Sequence, residues 1–71
     1  MVVNEKILKS IGDNIRKIRD SKNISQQELA DHSNVAKSTI HRIENGKLNP
    51  SIVTIIKICD FLEINIEQII K

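Results

Sequence analysis

Residues 25–46 of the 71-residue chain read SQQELADHSNVAKSTIHRIENG. Ser25 is followed three residues later by Glu28, a spacing typical of a capping box, in which the serine hydroxyl accepts from the Glu28 amide and the carboxylate reaches back. Apolar residues then recur at helical spacing. One helix must end near Ser33 and the next begin near Ala36, so a turn of only about three residues separates them.

Helical periodicity continues on both sides of this stretch. On the N-terminal side, isoleucines at 7, 11, 15 and 18 form one stripe, which predicts a first helix from Glu5 to Ser21. On the C-terminal side, Ser51 follows Pro50 and is a credible cap for a fourth helix that runs to Leu62. Its predicted core stripe contains six residues: Ile52, Ile55, Ile56, Ile58, Cys59 and Leu62.

A fifth helix start is predicted at Asn65, because Ile64 and Ile69 have the spacing of a hydrophobic staple. The sequence therefore predicts an all-α, compact five-helix bundle. Helices two and three have helix-turn-helix spacing, and Asn34 between them tolerates the left-handed backbone usually given to glycine.

Composition predicts one small domain over residues 1–71 and excludes several functions. Phe61 is the only aromatic residue, so the chain cannot stack unpaired bases on aromatic platforms. The single Cys59 forms no internal disulfide, and the chain has neither a membrane-length apolar run nor a signal peptide, so we expect a cytoplasmic protein. His32, His41 and Cys59 lack ligand or dyad spacing, so we expect no metal, no cofactor and no catalysis.

Charge is unevenly distributed along the chain. Residues 1–49 hold nine basic and six acidic side chains, whereas residues 50–71 hold two and three. The front two-thirds is therefore the part better suited to face a polyanion.

The predicted third helix has one apolar face and one polar face. Ile40, Ile43 and Glu44 cluster on one side of a helical wheel. The other side carries five polar residues: Lys37, Ser38, His41, Arg42 and Asn45. Such a face is either an ordinary solvated surface or one that enters the major groove of duplex DNA, where Arg, Lys and Ser can bond base edges.

Several of these motifs together resemble the Cro/phage-repressor-type (Xre-like) helix-turn-helix family. The resemblance covers about residues 11–70 and rests on Ser25-Gln26-Gln27-Glu28-Leu29-Ala30, Val35, Ser38-Thr39-Ile40, Arg42-Ile43-Glu44-Asn45-Gly46-Lys47 and Asn49-Pro50. It implies a repressor-like fold with a helix-turn-helix core at about 25–46. It also implies sequence-specific binding of double-stranded DNA by a transcriptional regulator, in particular a repressor with its third helix in the major groove.

The resemblance also implies roles for individual residues. Lys37, Ser38 and Arg42 correspond to base-reading positions. The positions that contact the DNA backbone or support the readers are Gln26, Gln27, Thr39, His41, Asn45, Lys47 and Asn49. For Lys47 and Asn49 the alternative is a plain polar loop.

Arg19 and Glu44 are expected to form a structural ion pair. Both border apolar stripes, and the resembled family has an Arg–Glu salt bridge at matching positions. The alternative is an exposed Glu44 without a structural role.

Three residues depart from the family's pattern. Ala36 replaces the usual capping side chain of the third helix, Ser33 replaces an apolar residue, and Glu63 replaces the glycine that ends the fourth helix. Ala36 cannot accept from the helix amides, which costs about 1 kcal/mol.

Apolar residues in the net-acidic segment 53–71 predict a homodimer. The expected interface residues are Val53, Phe61, Ile66 and Ile70, unless these serve only the monomer's core. A two-fold dimer would suit an inverted-repeat operator. The contrasting possibility is a protein-interaction module, or an antitoxin or immunity-type regulator, on the same scaffold and with a protein partner.

Overall fold

The computed structural model describes residues 5–70, so Met1–Asn4 and Lys71 lie outside the described part of the predicted domain. It contains four helices followed by a single 3-10 turn: α1 (Glu5–Ser21), α2 (Gln26–Ser33), α3 (Lys37–Glu44), α4 (Ile52–Leu62) and the turn Ile66–Gln68. The described residues contain no β-strand. The all-α class is therefore confirmed.

The predicted fifth helix is wrong, because the segment after Asn65 forms only a 3-10 turn. Two of its backbone bonds span three residues, from the Gln68 amide to the Asn65 carbonyl and from the Ile69 amide to the Ile66 carbonyl. Only the Ile70 amide reaches back four residues, to Ile66. Nucleating an α-helix is unfavourable, because the backbone of several residues must be fixed to form the first hydrogen bond. A segment this short therefore forms the tighter 3-10 turn instead.

The ends of α4 lie at the residues that the sequence predicts. The Ser51 hydroxyl accepts from the Thr54 amide at 3.1 Å and starts α4. At the other end of α4, Glu63 adopts the left-handed conformation with φ of 57°, and the Ile64 amide closes the helix on the Cys59 carbonyl at 3.0 Å. Asn23, two residues after the end of α1, also has a positive φ, of 56°.

One core holds the elements together. Its buried apolar residues are Ile11, Ile15, Leu29, Ala30, Ile40, Ile43, Ile55, Ile58, Cys59, Leu62 and Ile69. Gly12 decides how closely α1 approaches the end of α3, because a Cβ at this position would lie 2.3 Å from the Ile43 carbonyl oxygen. Asn14 fixes the end of the described chain to α1, since its side-chain amide donates to the Ile69 carbonyl at 2.8 Å.

The predicted core stripe of α4 is too wide, and that of α1 is too long at its N-terminal end. Ile52 and Ile56 are 60% and 58% exposed, and Ile7 is 51% exposed. The four buried residues of α4 have the spacing i, i+3, i+4 and i+7, which matches the width that one packed neighbour covers. Ile52 and Ile56 lie on one flank of that stripe, and Ile7 lies one turn before Ile11, the first core residue of α1.

Candidate nucleic-acid interface

The start of α2 is fixed by the predicted capping box. The Ser25 hydroxyl accepts from the Glu28 amide at 3.0 Å, and the Ser25 amide donates to Glu28 Oε1 at 3.1 Å. Two amides that a helix start leaves without partners are therefore satisfied locally. This fixes the direction in which α2 leaves the preceding loop and positions Gln26, the first residue of the helix.

The turn between α2 and α3 consists of residues 34–36. Asn34 adopts the left-handed conformation with φ of 57° and ψ of 44°, as the sequence predicts. The Val35 amide donates to the Ala30 carbonyl at 3.0 Å and closes α2. Ala36 occupies the N-cap position of α3. Its side chain cannot accept a hydrogen bond, so the amides at the start of α3 receive none from the capping residue.

Arg19 and Glu44 form the ion pair that the sequence predicts. Arg19 Nε donates to Glu44 Oε2 at 2.7 Å, and Nη2 donates to Oε1 at 3.0 Å, a bidentate arrangement. The Glu44 side chain is only 2% exposed. Hydrogen bonding to Glu44 raises the pKa of Arg19 above its ordinary value, which keeps the guanidinium charged.

The same carboxylate joins α2 to this pair. Gln26 Nε2 donates to Glu44 Oε1 at 3.0 Å, and Arg19 Nη1 donates to the Ile24 carbonyl at 2.7 Å. The end of α3 is thus tied to α1, to the start of α2 and to the loop before it. Gln26 supports α3 through Glu44 in this arrangement.

The opposite face of α3 is open. Lys37, Ser38, His41 and Arg42 are exposed, and Thr39 is half-buried at the margin. Within residues 5–70, the side chains of Lys37 and Arg42 take no part in a hydrogen bond or ion pair. The inward face of the helix is held by the buried Ile40, Ile43 and Glu44. The three predicted base readers therefore lie on the outward face of α3, together with the support residue His41 and, at its margin, Thr39.

The loop after α3 continues this polar surface. Asn45, Lys47 and Asn49 are exposed. Gly46 turns the chain with φ of +69°, and the Lys47 amide returns to the Arg42 carbonyl at 2.9 Å.

Two of the predicted support residues are engaged locally. The Asn45 side-chain amide donates to the His41 carbonyl at 2.8 Å, and its nitrogen lies 3.2 Å from the His41 ring Nε2. Gln27 is exposed on α2, where its amide donates to Asp31 at 2.8 Å.

Several large apolar side chains are exposed as well. Those of α4 and of the segment that follows it, here called the apolar face, are Ile52, Val53, Ile56, Ile66 and Ile70. Three of them are predicted interface residues, whereas Ile52 and Ile56 were predicted to be core.

The fourth predicted interface residue, Phe61, does not share the apolar face. It is half-buried against the core and stacks on His32, with ring centroids 4.2 Å apart and planes inclined by 5°. It lies about 140° around α4 from Ile56.

Sequence reasoning missed Gly12 and the contact between Asn14 and Ile69. A glycine inside a predicted helix was an available signal, because a conspicuous loss of helix propensity calls for a packing reason. Asn14 carried no such signal. The structure also buries Ser33 completely, with no partner for its hydroxyl among the described residues.

Among residues 5–70, no group of three or more His, Cys, Asp or Glu side chains could hold a metal ion. No helix within this range is long and apolar enough to cross a membrane.

The chain is similar in sequence to known helix-turn-helix proteins. The helix-turn-helix family model HTH_3 matches residues 15–69. An HTH-type transcriptional regulatory protein of Methanococcus vannielii is 38% identical over 53 residues, which make up 75% of this chain but only 16% of that protein.

Two solved structures are similar in fold. The restriction-modification controller protein C.AhdI from Aeromonas hydrophila has a TM-score of 0.84 at 32% identity, with 87% of this chain and 94% of that chain covered. The clp gene regulator ClgR from Corynebacterium glutamicum has a TM-score of 0.86 at 22% identity, with 89% and 67% covered, and this likeness concerns the fold alone.

Proposed function

Because the chain belongs to the HTH_3 helix-turn-helix family of transcription regulators, we propose that it binds double-stranded DNA in a sequence-specific manner with α3 in the major groove. Membership confirms the family that the motifs resemble. One observation carries the proposal: α3 exposes Lys37, Ser38 and Arg42 while its other face is fixed by core packing and by the Glu44 carboxylate.

We assign base reading to Lys37, Ser38 and Arg42. Lysine and arginine can donate to guanine O6 and N7, and serine can bond several base edges while allowing close approach of the helix. The rigid support of α3 matters because a side chain selects a base only if its backbone is held in register. The ion pair of Arg19 with Glu44 supplies that support.

The residues around the readers are assigned to the DNA backbone. Asn45, Lys47 and Asn49 flank α3, and phosphate contacts from such positions set register without reading sequence. Gln26 and Gln27 open α2, where helix-start amides favour an anion. Thr39 and His41 border the reading face.

We further propose that two copies associate through the apolar face. Burial of Ile52, Val53 and Ile56 would remove the exposed large apolar side chains of α4 from water, together with Ile66 and Ile70. A two-fold pair presents two recognition helices about 34 Å apart, which suits an inverted repeat. Such a dimer would act as a repressor by occluding promoter sequence. A cytoplasmic location remains a prediction.

Selection of bound fragments from a random duplex library tests the reading assignment. Lys37→Ala and Arg42→Ala should change base preference and cost about 1–3 kcal/mol each on the selected duplex. Lys57→Ala, an exposed lysine on α4, is the matched control and should leave preference unchanged. If Lys47→Ala alters preference more than Arg42→Ala does, the division between readers and positioners is wrong.

Sedimentation tests the dimer. Ile56→Asp should convert a dimer to a monomer and weaken binding to an inverted repeat, whereas Phe61→Leu should do neither. A monomeric wild-type protein at micromolar concentration, with one copy in its DNA complex, would overturn the proposal.

A protein partner is the second candidate, either for an interaction module that does not bind DNA or for an antitoxin or immunity-type regulator. The apolar face favours it, because that surface also suits a different protein. Salt separates the two possibilities. DNA binding weakens steeply as salt rises, whereas an apolar interface does not.

A further inference from the structure

A cleft of about 450 Å³ separates the N-terminal part of α1 from the loop after α3. Its lining residues are Glu5, Leu8, Lys9, Asn45, Gly46 and Lys47. The two elements meet at its floor, since a Cβ on Gly46 would lie 3.0 Å from Lys9 Cα. Two lysines from distant parts of the sequence therefore border one cleft, beside the proposed DNA-binding face.

Both lysines are available to an anion. The Lys47 side chain takes no part in a hydrogen bond or ion pair within residues 5–70. Lys9 Nζ lies 3.2 Å from Asp13 Oδ1, with the two side chains 54% and 30% exposed. Such a partly exposed pair is weak and exchanges readily.

Asp13 does not depend on Lys9 alone. Arg16 Nη2 also lies 3.2 Å from Asp13 Oδ1. The ion pair with Lys9, helped by Arg16 and Lys17, lowers the pKa of Asp13, so the carboxylate is ionised at neutral pH. Lys9 can therefore leave this carboxylate while Arg16 keeps it paired. Glu5 is the single acidic side chain that lines the cleft.

We propose that this cleft holds a phosphate of the DNA backbone between Lys9 and Lys47, which extends the interface beyond the helix-turn-helix to α1. The inference rests on the proposed DNA binding. Asn45 also lines the cleft, with its side-chain amide held by the His41 carbonyl at 2.8 Å. A phosphate accepts from ammonium groups, and such a contact sets the position of the protein without reading a base.

The dependence of DNA affinity on salt tests the proposal. The probes are the duplex selected by the full chain and a duplex of unrelated sequence. The slope of log K against log salt is negative, and each phosphate that a lysine neutralises adds about 0.9 to its magnitude, which is the quantity called the slope below. Lys9→Gln should therefore lower the slope by about 0.9 per bound chain and weaken both duplexes equally. Lys9→Arg should keep the slope.

Two further variants sharpen the test. Asp13→Asn should tighten binding, because Lys9 loses its competing partner. Lys57→Gln is the matched control, since it removes the same charge from α4, and it should leave the slope unchanged. Thermal unfolding followed by circular dichroism verifies that each variant is folded.

The possible failures are distinguishable. If Lys9→Gln keeps the wild-type slope while Lys47→Gln lowers it, the contact from α1 is overturned and DNA binding stands. If the slope falls equally for Lys9→Gln and Lys57→Gln, the effect is one of net charge and the cleft holds no phosphate. If the wild-type chain binds neither duplex, the proposed function itself fails.

Discussion

Replacing Arg19 by methionine should lower the free energy of unfolding by a large amount. The change removes both bonds to the Glu44 carboxylate and the bond to the Ile24 carbonyl. Glu44, 2% exposed, then keeps only the Gln26 amide as a partner in this network.

The magnitude follows from the burial of the stranded charge. Removing one partner of a buried ion pair costs about 3–5 kcal/mol. At 0.05–0.15 kcal/mol per residue, a domain of this length has a total stability of roughly 4–11 kcal/mol. Arg19→Met should therefore remove a large fraction of the stability, and each kcal/mol lost lowers Tm by about 4–8 °C.

Urea unfolding followed by circular dichroism at the helical band measures the effect, because the chain has no tryptophan to report by fluorescence. The double variant Arg19→Met with Glu44→Leu should be more stable than Arg19→Met alone, since no charge is left buried. Arg16→Met is the control on the same helix, because Arg16 pairs with Asp13 in a partly exposed position, and it should change the midpoint little.

Two results would refute this reasoning. One is a loss for Arg19→Met no larger than for Arg16→Met. The other is a double variant whose loss equals the sum of the losses of Arg19→Met and Glu44→Leu measured singly, which would mean that the two charges do not depend on each other.

Four further predictions concern single positions elsewhere in the chain. Gly12→Ala should destabilise by about 1–3 kcal/mol in denaturant unfolding despite alanine's better helix propensity, because the new Cβ would lie 2.3 Å from the Ile43 carbonyl oxygen; a stabilised variant would contradict the close approach of the helices. Ser33→Ala should raise the free energy of unfolding by about 1 kcal/mol, since it removes a buried hydroxyl without a partner, and a loss of stability would reveal a bond to that hydroxyl. Glu63→Gly should stabilise by about 1 kcal/mol, because glycine adopts the left-handed conformation at no steric cost; an unchanged midpoint would count against strain there. Burial raises the pKa of the Cys59 thiol above its ordinary 9.0, so its contribution to stability is complete below that pH and is lost as pH rises through the folded-state value. The unfolding midpoint of the wild type should therefore fall more steeply above pH 9.0 than that of Cys59→Ala, and parallel curves would contradict the shift.

Local sequence signals predicted where the helices of the candidate interface begin and end. The capping box at Ser25, the left-handed Asn34 and the cap at Ser51 all depend on residues within four positions of each other, so the sequence contains the whole interaction. The exposed face of α3 followed from helical periodicity, because the apolar side of so short a helix can only face the core.

Contacts between residues that are distant in the sequence were harder to predict from the sequence. The pairing of Arg19 with Glu44 spans 25 positions and was inferred with the help of a family resemblance. The bond from Gln26 to the same carboxylate was not foreseen. The widths of the core stripes were overestimated at Ile52 and Ile56, since periodicity gives the direction of a helix face but not the width of the neighbour that covers it.

By itself, the sequence determined that the chain forms short helices, where the central pair begins and ends, and which side of α3 turns outward. These properties depend on backbone hydrogen bonds and on side-chain spacing within one or two helical turns. Only the tertiary structure decided that Gly12 admits the end of α3, that Phe61 stacks on His32, and that Lys9 lies beside Lys47. The physical reason is that such contacts require the relative placement of whole helices, which close packing of the core sets and no local pattern encodes.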